Sequence, residues 1–305
     1  MSTRIGALVT VCGVFVAACG NGDETVETSS ALDAVDGQGR PEPPMLGAHH
    51  ARDAAPGAAG TSPVMSWHSG AIMPNAAVTA IFWGTSWATA SFTGDKITGV
   101  DSFYQGYGGS SYAAASTEYT GTNGTVGTTI SYGGHLVDTS AAPARAPKVS
   151  AIGAEVCKMI KTPVANGYYP VYVDARRGSA QYCAWHSYGT CGGVPVQFGF
   201  FFNLDGDAGC DPQDARAVSS QGLEALVNVS AHEISETVTD PRNGGWYDSG
   251  GNENGDKCAW TFNVPYVTFS NGASWKVQGE WSNAAYAAGT GYPNRGGQAG
   301  CLSGQ

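Results

Sequence analysis

The sequence predicts an α/β fold of the α+β kind: one mixed β-sheet covered by helices, in a single disulfide-containing domain. Three observations lead there. Short apolar runs rich in Val, Ile, Tyr and Phe alternate with longer stretches of helical periodicity. The 305 residues are 42% hydrophobic, enough to bury one sizeable core. No internal repeat is visible along the chain.

The elements follow in order. Residues 75–84, NAAVTAIFWG, form a short apolar run between Pro74 and Gly84 and read as a buried strand. Ile97, Val100, Phe103, Tyr104 and Tyr107 follow helical spacing, with Thr93 as the expected N-cap. Residues 126–132 read as a strand. Val149, Ile152, Val156 and Ile160 mark a second helix, opened by Pro147 in its first turn. YYPVYVDA (168–175) and VQFGFFFN (196–203) are two further strands. A helix from Ser220 to about Val238 comes next. YVTFSNGASWKVQGEW (266–281) is expected to form a hairpin around Asn271-Gly272, a pair suited to a tight type I′ turn.

What precedes the domain reads differently. Residues 1–18 carry Arg4 and then an apolar run, too short and too rich in small residues to span a membrane, which ends in Ala17-Ala18-Cys19. That pattern resembles a bacterial lipoprotein signal, with Cys19 the lipidated first residue of the mature chain. Residues 19–62 lack Phe, Trp and Tyr and read as a disordered tether, in which His49 and His50 are expected to be solvated. The globular domain is expected over 63–305. The net charge of −10 argues against a nucleic-acid partner. The implied localisation is extracytoplasmic, at the outer membrane or cell surface, with membrane contact only through the lipid.

Cysteine usage agrees with export. Beyond Cys12 and Cys19 there are six: Cys157, Cys183, Cys191, Cys210, Cys258 and Cys301, an even number that suggests three disulfides. Cys183 and Cys191 bracket CAWHSYGTC and are expected to pair across a loop. The other four allow three pairings.

The chemistry concentrates in VSAHEISETVTDP (229–241). On a helix, His232 and Glu236 fall on one face one turn apart, with Glu233 beside them. Ligands at i and i+4 can hold one metal ion, and the carboxylate at i+1 can then act as the base that activates water. Glu233 is therefore the candidate catalytic residue, and His232 and Glu236 are candidate ligands. Asp240-Pro241 ends the helix, and a loop rich in oxygen donors follows. From it Glu253 is the preferred third ligand, and Asp256 either replaces it or orients His232. Zinc is the expected ion; one imidazole with two carboxylates also suits calcium or manganese. The rival reading is a structural helix whose His232 and Glu236 merely bond the following loop.

Other groups carry weaker signals. Asp205, Asp207 and Asp211 resemble the start of a calcium loop, but Cys210 stands where an EF-hand needs Gly, so a polar turn is expected. His68 and His186 read as structural histidines, and Trp275 and Trp281 as core residues of a strand.

Several blocks together resemble the Exordium and phosphate-induced protein 1 family: Trp67-His68-Ser69-Gly70 before Phe82-Trp83-Gly84, then YYPVYVDARRGSAQYCAWHSYGTC, NLDGDAGCD and HEISETVTDPRNGGWYD. The resemblance spans roughly residues 64–256. It implies a secreted, envelope-facing protein without a settled enzymatic activity. The plant pattern at the helix matches His232 and Glu233 but has Gly and Asn where this chain has Glu236 and Asp240. Two functions are therefore expected to compete: a zinc metallopeptidase-like hydrolase acting on peptide, and a non-catalytic protein that binds cell-wall polymer or another protein.

Overall fold

The computed structural model describes residues 41–54, 63–216 and 218–304. The signal segment 1–18, the lipidation candidate Cys19 and most of the expected tether (19–40 and 55–62) lie outside the described residues.

The fold is a mixed α/β sandwich with a six-stranded sheet at its centre. Its strands are β1 (Leu46–His50), β2 (Asn75–Trp83), β3 (Thr129–Asp138), β4 (Gly167–Arg176), β5 (Tyr182–Cys191) and β6 (Val194–Asn203). They lie in the order β1-β5-β6-β4-β2-β3. β6, β4, β2 and β3 run parallel; β5 runs antiparallel to β6, and β1 antiparallel to β5. Parallel strands need both faces covered, which matches the near-continuous burial of Gly167–Val173 and Val196–Asn203.

Alternation of side chains assigns the faces. Phe198, Phe200 and Trp185 point to one side, where α2 (Val149–Met159) lays Ile152 and Val156. Tyr172 and Phe201 point to the other, which holds α1 (Lys96–Tyr107) and α3 (Gln221–Thr239). Every residue of α3 from Gly222 to Thr239 is buried, so the helix runs through the protein rather than over its surface. The Ser220 hydroxyl caps it by accepting from Leu223 N–H at 3.2 Å. Asp240 ends it, as the residue before Pro241 must leave the helical region.

Several expectations are corrected. Residues 41–54, expected within the tether of 19–62, belong to the fold, and β1 within them pairs with β5. Its order comes from partners rather than from its own composition. The helix α1 starts at Lys96, after a separate turn at Ala90–Thr93. The hairpin is shorter than expected, Val267–Thr268 against Ser274–Trp275, and Glu280–Trp281 pairs instead with Ala299–Leu302.

Cys183 does not pair with Cys191. Both lie on β5, at opposite ends of an extended strand whose rise of about 3.3 Å per residue carries them far beyond bonding distance. The bridges are Cys157–Cys191, Cys183–Cys210 and Cys258–Cys301, so all six cysteines pair. Three disulfides fit an oxidising, extracytoplasmic setting. No helix among the described residues is long and apolar enough to cross a membrane.

Candidate metal centre

The helical spacing of HEISE places its side chains as expected. His232 Nε2 lies 3.0 Å from Glu236 Oε1, both fully buried. The short helix α4 (Asn254–Lys257) then brings Asp256 Oδ1 to 3.7 Å from the same Nε2. Two features lock α4 in place. Asp256 N–H donates to Glu236 Oε1 at 2.9 Å, and Cys258, directly after the helix, is bonded to Cys301 on a C-terminal strand. Gly255 is needed at this approach, since a Cβ there would meet His232 Nδ1 at 2.8 Å and Glu236 Oε1 at 2.9 Å.

Glu253, the preferred third ligand, turns elsewhere. Its Oε1 lies 3.2 Å from Nε2 of His186 on β5. That imidazole is in turn 3.9 Å from Glu236 Oε2. Glu236 thus faces two ligand sets, Oε1 toward His232 and Asp256, Oε2 toward His186 and Glu253. Glu233 joins the second set: one ligand atom each from His186, Glu233 and Glu236 lie within 4.8 Å of one another. Four ligands about 2.1 Å from a tetrahedral ion are roughly 3.4 Å apart, so separations of 3.0 to 3.9 Å fit ligands waiting for a cation.

Two histidines and a glutamine of this cluster escaped the sequence reading of the site. His186 was expected to be structural. His49 was expected to be solvated, yet it is fully buried and stacks on His232 with ring centroids 4.1 Å apart and planes at 8°. Gln278 Nε2 sits 2.9 Å from His232 Nδ1 and donates to Gly255 C=O at 2.8 Å, while its Oε1 accepts from Trp260 N–H at 3.2 Å. Nδ1 is thus engaged by Gln278, and Nε2 is the ring nitrogen that faces Glu236. Asp256 therefore does not hold the far side of the ring, as one sequence reading had it; Gln278 does. Only nonlocal pairing brings these three residues in, so no local motif marks them.

The electrostatics are unbalanced. Burial pushes the carboxyls of Glu233, Glu236, Glu253, Asp256 and Glu280 well above the usual range, and repulsion from neighbouring carboxylates raises each of them further. Burial likewise pushes the imidazoles of His186 and His232 down to about 3. Several polar atoms here lack any hydrogen-bond partner: His232 Nε2, His186 Nδ1, Glu236 Oε2, Glu253 Oε2, both oxygens of Glu233 and both nitrogens of His49. Such atoms each cost about 1–3 kcal/mol. A divalent cation would offset the clustered carboxylates and satisfy lone pairs at once, so the donor set fits one.

The calcium-loop residues are otherwise engaged. Asp205 pairs with Lys96 at 2.5 Å, Asp207 with Arg177 at 2.7 Å, and Asp211 accepts from Gln213 N–H at 2.7 Å. Trp275 and Trp281 are buried. His68 stacks on Tyr247, with ring centroids 3.4 Å apart.

No family model, no curated protein and no solved structure matches the chain.

Proposed function

We propose that this chain is an exported envelope protein, anchored through Cys19, whose core holds a divalent-metal centre of hydrolase type. His232, Glu236 and Asp256 would hold the ion, with Glu253 and His186 beside them. The carrying observation is the convergence of Glu236 Oε1 and Asp256 Oδ1 on His232 Nε2 within a buried carboxylate cluster. Zinc is the ion this imidazole-containing set favours, and the excess of carboxylates also accommodates manganese or calcium. Such an ion supplies Lewis-acid polarisation of a carbonyl. Glu233, buried beside the ligands and approached by the His49 main-chain N–H, is the proton acceptor for water attack. The substrate we propose is peptide, in keeping with the HExxE helix. The Exordium-like motifs support the envelope setting rather than the chemistry.

A second reading draws support from burial. Only Asp256 among the three proposed ligands has measurable side-chain exposure, at 17%. A structural ion in a non-catalytic protein that binds wall polymer or another protein would need no more. Glu233→Gln separates the two. In the hydrolase, the variant retains its metal and loses peptide cleavage by about 10²–10⁴-fold, the usual worth of a positioned acid–base group. Cleavage that is absent from the wild type, or unchanged in the variant while the metal stays, removes the hydrolase reading.

A further inference from the structure

We propose that β1 occupies a groove built for an extended polypeptide, so that this chain carries its own substrate-like strap across the centre. The inference rests on the metal-centre reading for its purpose, though not for its geometry. β5 runs antiparallel to its inner neighbour β6, and without β1 it would be the sheet's edge. A bare edge presents a row of unpaired N–H and C=O groups, which take up an extended peptide as an added strand. His186 of the cluster sits on this edge strand, so a peptide paired with β5 is laid directly over the carboxylates.

β1 is placed as such a peptide would be. Leu46 pairs with His186, His49 with Ala184 and His50 with Tyr182, in antiparallel sense, and the register shifts between each pair. Between the first two, Gly47 passes so close to the cluster that a Cβ would fall 1.9 Å from Glu236 Oε2 and 2.7 Å from His186 Nε2. Gly47 also adopts φ +44°, where other residues are strained. Main chain, rather than a side chain, therefore rests on the ligand set. The His49 ring covers His232, yet both its nitrogens are buried without a partner.

The strap is fastened at its ends. Trp260 Nε1–H donates to His50 C=O at 2.9 Å, Ala51 N–H to Gln181 C=O at 2.9 Å and Arg52 N–H to Gly209 C=O at 2.8 Å. Upstream, Ser187 Oγ–H donates to Pro44 C=O at 2.6 Å, and Glu42 accepts from Ser150 N–H at 2.6 Å. The middle of the strap, Gly47-Ala48-His49, is held by sheet pairing and ring stacking. The ligand class follows: an extended polypeptide with a small residue where the chain crosses Glu236. Access requires β1 to leave.

Amide hydrogen exchange on the full chain tests this. Gly47→Leu forces a side chain into Glu236 and should displace β1. Exchange at residues 46–50 and along Tyr182–His186 should then rise at least tenfold, while β4 stays protected. A synthetic peptide of residues 41–54, PEPPMLGAHHARDA, should restore that protection in the variant and bind no wild-type protein. The same peptide with Leu in place of Gly should do neither. Should Gly47→Leu also expose β4, Trp260→Phe is the second variant: it removes the clasp on His50 and should raise exchange in β1 alone. Unchanged exchange in β1 and β5, or failure of the peptide to restore protection to a folded variant, overturns the strap. Neither readout depends on metal or cleavage. A chain that binds metal but keeps full protection loses only the strap, and a metal-free chain that shows the exchange pattern loses only the centre.

Discussion

Two neighbouring levels of the same helix treat buried polar atoms in opposite ways. At Ser230 on α3, the hydroxyl lies 2.7 Å from Tyr172 OH, which lies 3.0 Å from Tyr104 OH. All three groups are buried and each has a partner. Two residues later, His232 begins a cluster in which His232 Nε2, Glu236 Oε2 and both Glu233 oxygens have none. Some charges elsewhere in the interior are matched, as Lys257 is with Asp248 at 3.0 Å, though the carboxyl of Glu224 at the first turn of α3 is not. The fold that pairs Tyr104, Tyr172 and Lys257 leaves several carboxyl oxygens of the cluster unpaired. The difference supports the proposal that the cluster takes a cation, and a divalent ion has the charge and the size for it.

That comparison can be broken at the satisfied level first. Tyr172→Phe removes the central hydroxyl and leaves Tyr104 OH and Ser230 Oγ short of a partner. Each orphan costs about 1–3 kcal/mol, so a loss of about 3 kcal/mol is expected in denaturant unfolding. A loss below about 1 kcal/mol would mean that orphaned groups are cheap in this core, and the cluster's orphans would then carry no argument.

A smaller effect is expected at the first turn of α3. Glu224 is buried, and both its oxygens lack a partner. Burial pushes its carboxyl up to about 7. A folded-state value above the unfolded one of about 4.3 gives stability that is fully present below pH 4 and is lost as pH rises through 7. Glu224→Gln should therefore leave stability near pH 4 almost unchanged and raise it by about 1–2 kcal/mol at pH 8, measured as the difference between denaturant midpoints. Burial is the largest influence on this carboxyl, with Ser219, Asp214 and Arg216 beside it. Equal effects at both pH values would contradict the assignment.

Legibility in the sequence followed the range of the interactions. β2, β4 and β6 announce themselves because strands buried on both faces are apolar throughout. The pairing of His232 with Glu236 was legible because a helix fixes i and i+4 on one face whatever surrounds it. β5 was missed because its alternating apolar residues are interrupted by His186, Ser187 and Gly189, and because two cysteines at its ends suggested a loop. β1 was missed because Gly47, Ala48 and His49 gain their order only from β5 and Trp260. The third ligand could be narrowed only to Glu253 or Asp256, since the turn of α4 decides which of them reaches His232. His186, His49 and Gln278 reach the cluster from three distant stretches of the chain, and single-sequence patterns do not encode such meetings.

The central claim is that the carboxylate cluster takes a cation. Elemental analysis tests it most directly, on the mature wild-type protein purified without chelator or added metal, beside His232→Ala. The account predicts stoichiometric divalent metal, zinc foremost, in the wild type, and its loss from His232→Ala while the three disulfides Cys157–Cys191, Cys183–Cys210 and Cys258–Cys301 remain formed. A folded wild type that holds no stoichiometric metal, even after zinc, manganese and calcium are offered, would contradict it and leave HEISE a structural helix.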